Sequence, residues 1–279
     1  MTDAAPKPKR EEIYRHTRVV RATHWINALC LFFLVASGLQ IFNAHPALYW
    51  GQKGFAYERH NLVLSMRAEP LNGHIRGVTR VGPWKFDTTG VFGYSPYRGK
   101  LENRGFPGWV TIPSWRDLSS GRRWHFFFAW IFVISGLVYL ANGLRTRHIQ
   151  RDLAPTPAEL APRHLLHEVV DHLQLKFPKG EAAKRYNGLQ KIAYFGTAII
   201  LLPMMVLTGL TMSPGMDAAA PFLLDMFGGR QSARTVHFAC ASLIVLFVIV
   251  HLVMVLISGV GNNLRSMITG RYQIEPEAK

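Results

Sequence analysis

Hydrophobic and polar positions along the chain alternate in long blocks. Four apolar blocks cover roughly 23–43, 124–144, 192–212 and 236–260, and none holds an aspartate, glutamate, lysine or arginine. Crossing about 30 Å of hydrocarbon takes about 20 helical residues, so each block is long enough to span a bilayer. A soluble core helix of that length without one charge would be unusual. The pattern therefore predicts an all-α membrane protein, a bundle of four transmembrane helices. Two long polar segments, 44–122 and 145–191, and a shorter one, 213–235, separate the blocks. No cleavable signal peptide is expected, because the segment 1–22 is highly charged and the first block continues to full span length.

Composition sharpens this picture. Of the 279 residues 49% are apolar, yet mean hydropathy is only +0.09, as expected when apolar blocks alternate with very polar ones. The net charge of +15 could serve nucleic acid or a membrane surface. The basic residues lie between the apolar blocks and not along one patch, which excludes nucleic acid and favours contact with lipid. Cys30 and Cys240 both sit inside apolar blocks. They form no CxxC pair, so neither a disulfide framework nor a structural zinc site is expected, and they read as small buried hydrophobes.

Lysine and arginine near the spans orient the chain. The N-terminal tail carries Lys7, Lys9, Arg10, Arg15, Arg18 and Arg21, and the segment between spans two and three carries Arg145, Arg147, Arg151, Lys184, Arg185 and Lys191. The tail after span four has Arg265 and Arg271, whereas the loop 213–235 has only Arg230 and Arg234. Both termini and the 145–191 segment are thus expected in the cytoplasm. The basic 44–122 segment is expected outside, since long loops translocate largely regardless of charge.

Four histidines, His24, His125, His237 and His251, lie in or at the spans, where ionisable residues are rare and usually functional. His237 and His251 share span four in the spacing His-x13-His. At 100° and 1.5 Å per residue they fall within about 40° of one face and about 21 Å apart along the axis. With the expected orientation, His24 shares the inner level with His251, and His125 shares the outer level with His237. Two neutral imidazoles facing each other across a planar gap are the axial ligands of a bis-His haem. The absence of any CxxCH predicts non-covalent b haems, two of them.

A haem needs small residues where a helix passes its face. Gly38 follows His24 after about four helical turns, at the depth of the outer pair. Gly136 follows His125 after about three turns, at the depth of the inner pair. Helix one would ligate the inner haem and clear space for the outer one, and helix two the reverse. Alternatively both glycines serve close helix packing. Arg18 and Arg21 flank His24, and Arg122 and Arg123 flank His125, as cations for the haem propionates or as snorkelling residues. A cytoplasmic quinone pocket would draw on Arg21, Asn27, Asn262, Asn263 and Arg265.

These residues reach a family. R-A-T-H-W-I-N-A (21–28), followed on the same helix by Gly38, resembles helix one of the prokaryotic cytochrome b561 and nickel–iron hydrogenase b-type cytochrome group. The His-x13-His of span four is similar to that of formate dehydrogenase gamma subunits. YNGLQKIAY (186–194), LTGLTMSP (207–214) and LRSMITGRY (264–272) look most like the thiosulfate reductase cytochrome b branch. The resemblance implies a bacterial inner-membrane subunit of four helices and two b haems, an electron-transfer partner and not a stand-alone enzyme. It implies transfer between quinone and a partner oxidoreductase, often a molybdopterin enzyme. By position it assigns His24, His125, His237 and His251 as iron ligands, over a single di-haem domain of residues 1–279. Pairing of two copies as a homodimer stays open. So do two other functions, a self-sufficient b561-type oxidoreductase such as superoxide:quinone, and a haem-free transporter or scaffold.

The 44–122 segment is too long for a simple connector. GVTRVGPWKFDTTGVFGY (77–94) sets turn residues between β-prone runs, which predicts a hairpin. Trp84, Trp109, Trp115, Tyr94 and Tyr97 would form a docking surface for a soluble oxidoreductase, or a lid over the outer haem. His45, His60 and His74 read as ordinary polar residues. HLLHEVVDHLQLKF (164–177) is expected to be an amphipathic helix at the membrane surface and not a metal site.

Overall fold

The computed structural model describes residues 11–54, 59–71, 73–176 and 180–274. Lys7, Lys9 and Arg10 of the orientation argument, and Phe177 at the end of the amphipathic stretch, lie outside the described residues. The chain is mostly helical, and four helical stretches are long and apolar enough to cross a membrane. Strands are also present, in the polar segments outside the spans.

A short strand, β1 (Glu11–Tyr14), precedes the first spanning helix, α1 (Arg18–Ala44). Five more strands follow: β2 (Ala47–Tyr49), β3 (Leu62–Leu71), β4 (His74–Val81), β5 (Trp84–Asp87) and β6 (Tyr94–Tyr97). After β7 (Lys100–Asn103) comes the second spanning helix, α2 (Leu118–Arg145). Its start is set by Asp117, whose carboxylate accepts the Ser120 amide. The amphipathic α3 (Pro162–Leu173) leads to the third spanning stretch.

That stretch is one span in three pieces: α4 (Gly188–Phe195), a π-helical turn (Gly196–Leu201) and α5 (Leu202–Thr211). Asn187 and Gln190 form a capping box at its start. Pro203 lacks an amide hydrogen and its ring crowds the carbonyl four residues back, so the helix widens just before it. Two short helices, α6 (Pro214–Ala219) and α7 (Phe222–Met226), precede the fourth spanning helix, α8 (Arg230–Ile257). The fourth block thus ends at Ile257 and not at 260. Gly259 takes φ +106°, a left-handed conformation, and starts a separate helix, α9 (Val260–Thr269), followed by β8 (Arg271–Ile274). Much of the apolar surface of the spans faces outward, with Trp130 64% and Leu256 64% exposed. Bilayer lipid is the solvent that tolerates this.

The chain divides into two compact units. One comprises residues 1–25, 136–201 and 243–279. In it β1 pairs antiparallel with β8, from Glu11 opposite Ile274 to Tyr14 opposite Arg271. Glu12 takes Arg265 at 2.5 Å and Arg271 at 2.9 Å. Leu166, Val169 and Val170 of α3 are exposed. Glu168 on the same helix accepts the amides of Gly188 and Leu189, joining α3 to the start of α4. Among the described residues no group of three metal-ligating side chains forms.

The other unit comprises residues 26–135 and 202–242. Here β2, β3, β4 and β5 make a four-stranded antiparallel sheet, and β6 pairs with β7. Asn43, at the end of α1, accepts the Phe106 amide and donates to the Phe106 carbonyl, at 2.7 and 3.1 Å. Gln40 donates to the Trp115 carbonyl. Arg104 is fully buried, donates to the carbonyls of Phe106 and Ser114, and lies 4.9 Å from the Tyr97 ring. Trp84, Trp109 and Trp115 are exposed, whereas Tyr94 and Tyr97 are half-buried.

Candidate functional site

The four histidines meet in two pairs. His24 and His251 have ring centroids 6.4 Å apart at an interplanar angle of 60°. His125 and His237 have centroids 6.3 Å apart, also at 60°. A metal–imidazole bond is about 2.0–2.1 Å, and an imidazole centroid lies about 1.1 Å behind its nitrogen, so two rings facing one metal have centroids about 6.3 Å apart. Direct hydrogen bonding or stacking between the rings would bring them closer. Both separations match that spacing.

The surroundings of His125 and His237 match each other residue for residue. Ser37 Oγ lies 3.1 Å from His125 Nδ1, and Thr208 Oγ1 lies 3.0 Å from His237 Nδ1. The next residue in each case is a glycine packed on the ring. A Cβ at Gly38 would stand 3.4 Å from His125 Cε1, and one at Gly209 3.5 Å from His237 Cε1. Ser37 is 0% exposed, as is Thr208.

The other pair is held by aromatic side chains. Trp25 meets His24 edge-on at 5.2 Å, and Phe247 stacks on His251 at 5.8 Å. Tyr194 lies edge-on to His251 at 6.3 Å. His24 Nδ1 is buried with no hydrogen-bond partner among the described residues. A Cβ at Gly136 would meet nothing within 4 Å, so open space adjoins that face of α2.

The model of the prokaryotic cytochrome b561 family matches residues 15–270. The chain belongs to this family. A relative from Azospira oryzae, named a putative protein-methionine-sulfoxide reductase subunit YedZ1, is 26% identical over 262 residues. The alignment covers 93% of this chain and 98% of the relative. No solved structure matches the chain. The protein is accordingly a multi-pass membrane cytochrome of electron transport. The imidazole pairs, with their spacing and the room beside Gly136, fit a b-type haem.

The arginines expected beside the histidines lie within α1 and α2. Arg18 is exposed near the start of α1. Arg21 donates to the Ile268 carbonyl, while its Nε is buried without a partner among the described residues. Arg122 is exposed with its guanidinium 5.6 Å from the Phe126 ring, and Arg123 is exposed with a hydrogen bond to Ser120. Most of the residues named for quinone are engaged in the protein's own hydrogen bonds. Asn262 exchanges hydrogen bonds with the Gln273 backbone, Asn263 donates to Ser258, and Arg265 pairs with Glu12. Asn27 keeps a buried Oδ1 with no partner among the described residues.

Three groups beyond the expected site residues stand out. Ser37, Thr208 and Gly209 touch the paired histidines His125 and His237, a placement signalled only by a hydroxyl residue directly before a glycine in two spans. His45 lines a pocket of about 270 Å³ with Asn43, Arg67, Asn103 and Arg116, and its Nε2 is buried without a partner among the described residues. Burial, then Arg234 and Arg67, hold its pKa below the usual histidine range. His16, before α1, is pushed down to about 4, first by burial and then by Arg15.

Proposed function

We propose that this cytochrome is the membrane subunit of an oxidoreductase complex. It holds two b haems in a single domain over residues 1–279 and moves electrons between the quinone pool and a soluble extracytoplasmic oxidoreductase. The partner is a molybdopterin enzyme, and the subunit sits in the bacterial inner membrane with both termini cytoplasmic. His24 and His251 ligate the inner haem iron, and His125 and His237 the outer. The observation that carries this reading is the twofold recurrence of an imidazole pair, at 6.4 Å and 6.3 Å and both at 60°.

Bound haem supplies a one-electron iron couple. Two neutral imidazoles would hold each iron, a donor set that would suit outer-sphere electron transfer over substrate binding. α8 carries one ligand of each pair, giving electrons a route along a single helix. Gly38 and Gly136 give the cofactors room, and Arg18, Arg21, Arg122 and Arg123 are the cations available to propionates. Arg21 Nε and Asn27 Oδ1, each buried without a partner among the described residues, support these two as quinone candidates. The relative's name, a subunit of a reductase, supports an oxidoreductase partner. The exposed Trp84, Trp109 and Trp115 support docking on the 44–122 connection.

The test is electron traffic in proteoliposomes. A quinol analogue should reduce both haems, and a soluble molybdopterin oxidoreductase purified from the same cells should exchange electrons with them. Haems that respond to neither quinol nor partner would contradict the proposal.

A further inference from the structure

Resting on the di-haem reading, we propose that Ser37 and Thr208 are positioning residues for the His125–His237 haem. Each hydroxyl accepts the Nδ1 hydrogen of one ligand, aims its Nε2 lone pair at the iron and lowers that haem's reduction potential.

The direction of each hydrogen bond follows from counting hydrogens. A hydroxyl has one. Ser37 Oγ lies 2.6 Å from the Phe33 carbonyl, and Thr208 Oγ1 lies 2.7 Å from the Met204 carbonyl, each one turn back on its own helix. A carbonyl oxygen can only accept, so at these short distances it takes the hydroxyl hydrogen. The hydroxyl oxygen then faces the imidazole Nδ1, at 3.1 Å for His125 and 3.0 Å for His237, as an acceptor. Nδ1 must carry the ring hydrogen. The neutral ring therefore keeps its lone pair on Nε2, the nitrogen free to bind a metal. The same arrangement occurs on two different helices, each time with glycine next in sequence to let the ring approach.

The other pair lacks this device at His24, whose Nδ1 is buried with no partner among the described residues. A ligand histidine that donates from Nδ1 is more basic and gives more electron density to the metal. That favours the oxidised iron, and second-shell hydrogen bonding is one of the protein's levers on haem potential. Two bis-His haems in one chain are thus made electronically unlike by two hydroxyl groups.

The test is an optical and EPR redox titration of purified holoprotein, comparing wild type with Ser37→Ala, Thr208→Val and the double variant. One redox wave should rise and the other stay. Each substitution should raise that haem's midpoint potential by a resolvable step, and the double variant should raise it further. Ser37→Thr and Thr208→Ser, which keep the hydroxyl, should leave both waves in place. If the double variant holds two haems and neither wave moves, or both move together, the proposal is overturned. Loss of a haem from Thr208→Val but not from Thr208→Ser supports it, and loss from both overturns it. A wild-type protein with fewer than two haems refutes the underlying di-haem reading instead, and haem quantification shows this before any variant is made.

Discussion

Replacing Gly38 with leucine isolates the geometry around one ligand. The first atom of any new side chain at this position would lie 3.4 Å from His125 Cε1, already ordinary contact distance. Alanine therefore fits with little movement. Leucine adds three further carbons, and the nearest buried neighbour is the ligand ring, which Ser37 holds from the adjacent position. The ring must turn or α1 must move away from α2. Overpacking of this kind costs roughly 1–3 kcal/mol, about 5–150-fold in affinity for the haem that His125 ligates. Pyridine haemochrome quantification and redox difference spectra of wild type, Gly38→Ala and Gly38→Leu give the assay. Alanine should keep both haems. Leucine should deplete or shift only the His125–His237 haem, even though Gly38 is on the helix that carries His24. Two unperturbed haems in Gly38→Leu, or loss of the His24–His251 haem alone, would refute the reasoning.

Other positions give independent checks. Gly209→Leu should behave like Gly38→Leu, because its Cβ would stand 3.5 Å from His237 Cε1; haem content reads this. Arg104→Ala removes a fully buried guanidinium and strands the carbonyls of Phe106 and Ser114, so the melting temperature should fall by an amount equivalent to about 2–5 kcal/mol. Trp84→Ser with Trp109→Ser, both exposed, should leave haem content and stability intact and slow electron exchange with the soluble partner. His16 is depressed from 6.5 to about 4, so between those values the unfolded chain is protonated and the folded chain is not. Stability should fall as pH drops through that window, and thermal melts of His16→Gln should lack that part of the slope.

What the sequence revealed and what it hid divide along physical lines. Spans and the paired histidines announce themselves because charge-free blocks of about 20 residues are rare and histidines inside them rarer. The His-x13-His spacing on α8, together with the expected orientation of the spans, then orders the pairs. The break at Gly259 was hidden, since a glycine at the end of an apolar block can continue a helix or end it, and only the φ of +106° decides. The pairing of β1 with β8 joins segments from opposite ends of the chain, and no local pattern encodes it. The strands of the 44–122 connection are of mixed polarity, and tertiary bonds such as Asn43 to Phe106 and Arg104 to Ser114 hold that segment without any local pattern to announce them. Ser37 and Thr208 were visible only as polar residues in apolar helices. Their part becomes legible once the partner rings are known to lie at 3.1 and 3.0 Å.

The most direct measurement is haem stoichiometry by pyridine haemochrome in the intact protein and in its single ligand variants. Wild type should hold two b haems per chain. His237→Ala should lose the haem shared with His125, and His251→Ala the haem shared with His24, each keeping the other. One haem per chain in the wild type, or loss of the same haem from both variants, would contradict the pairing.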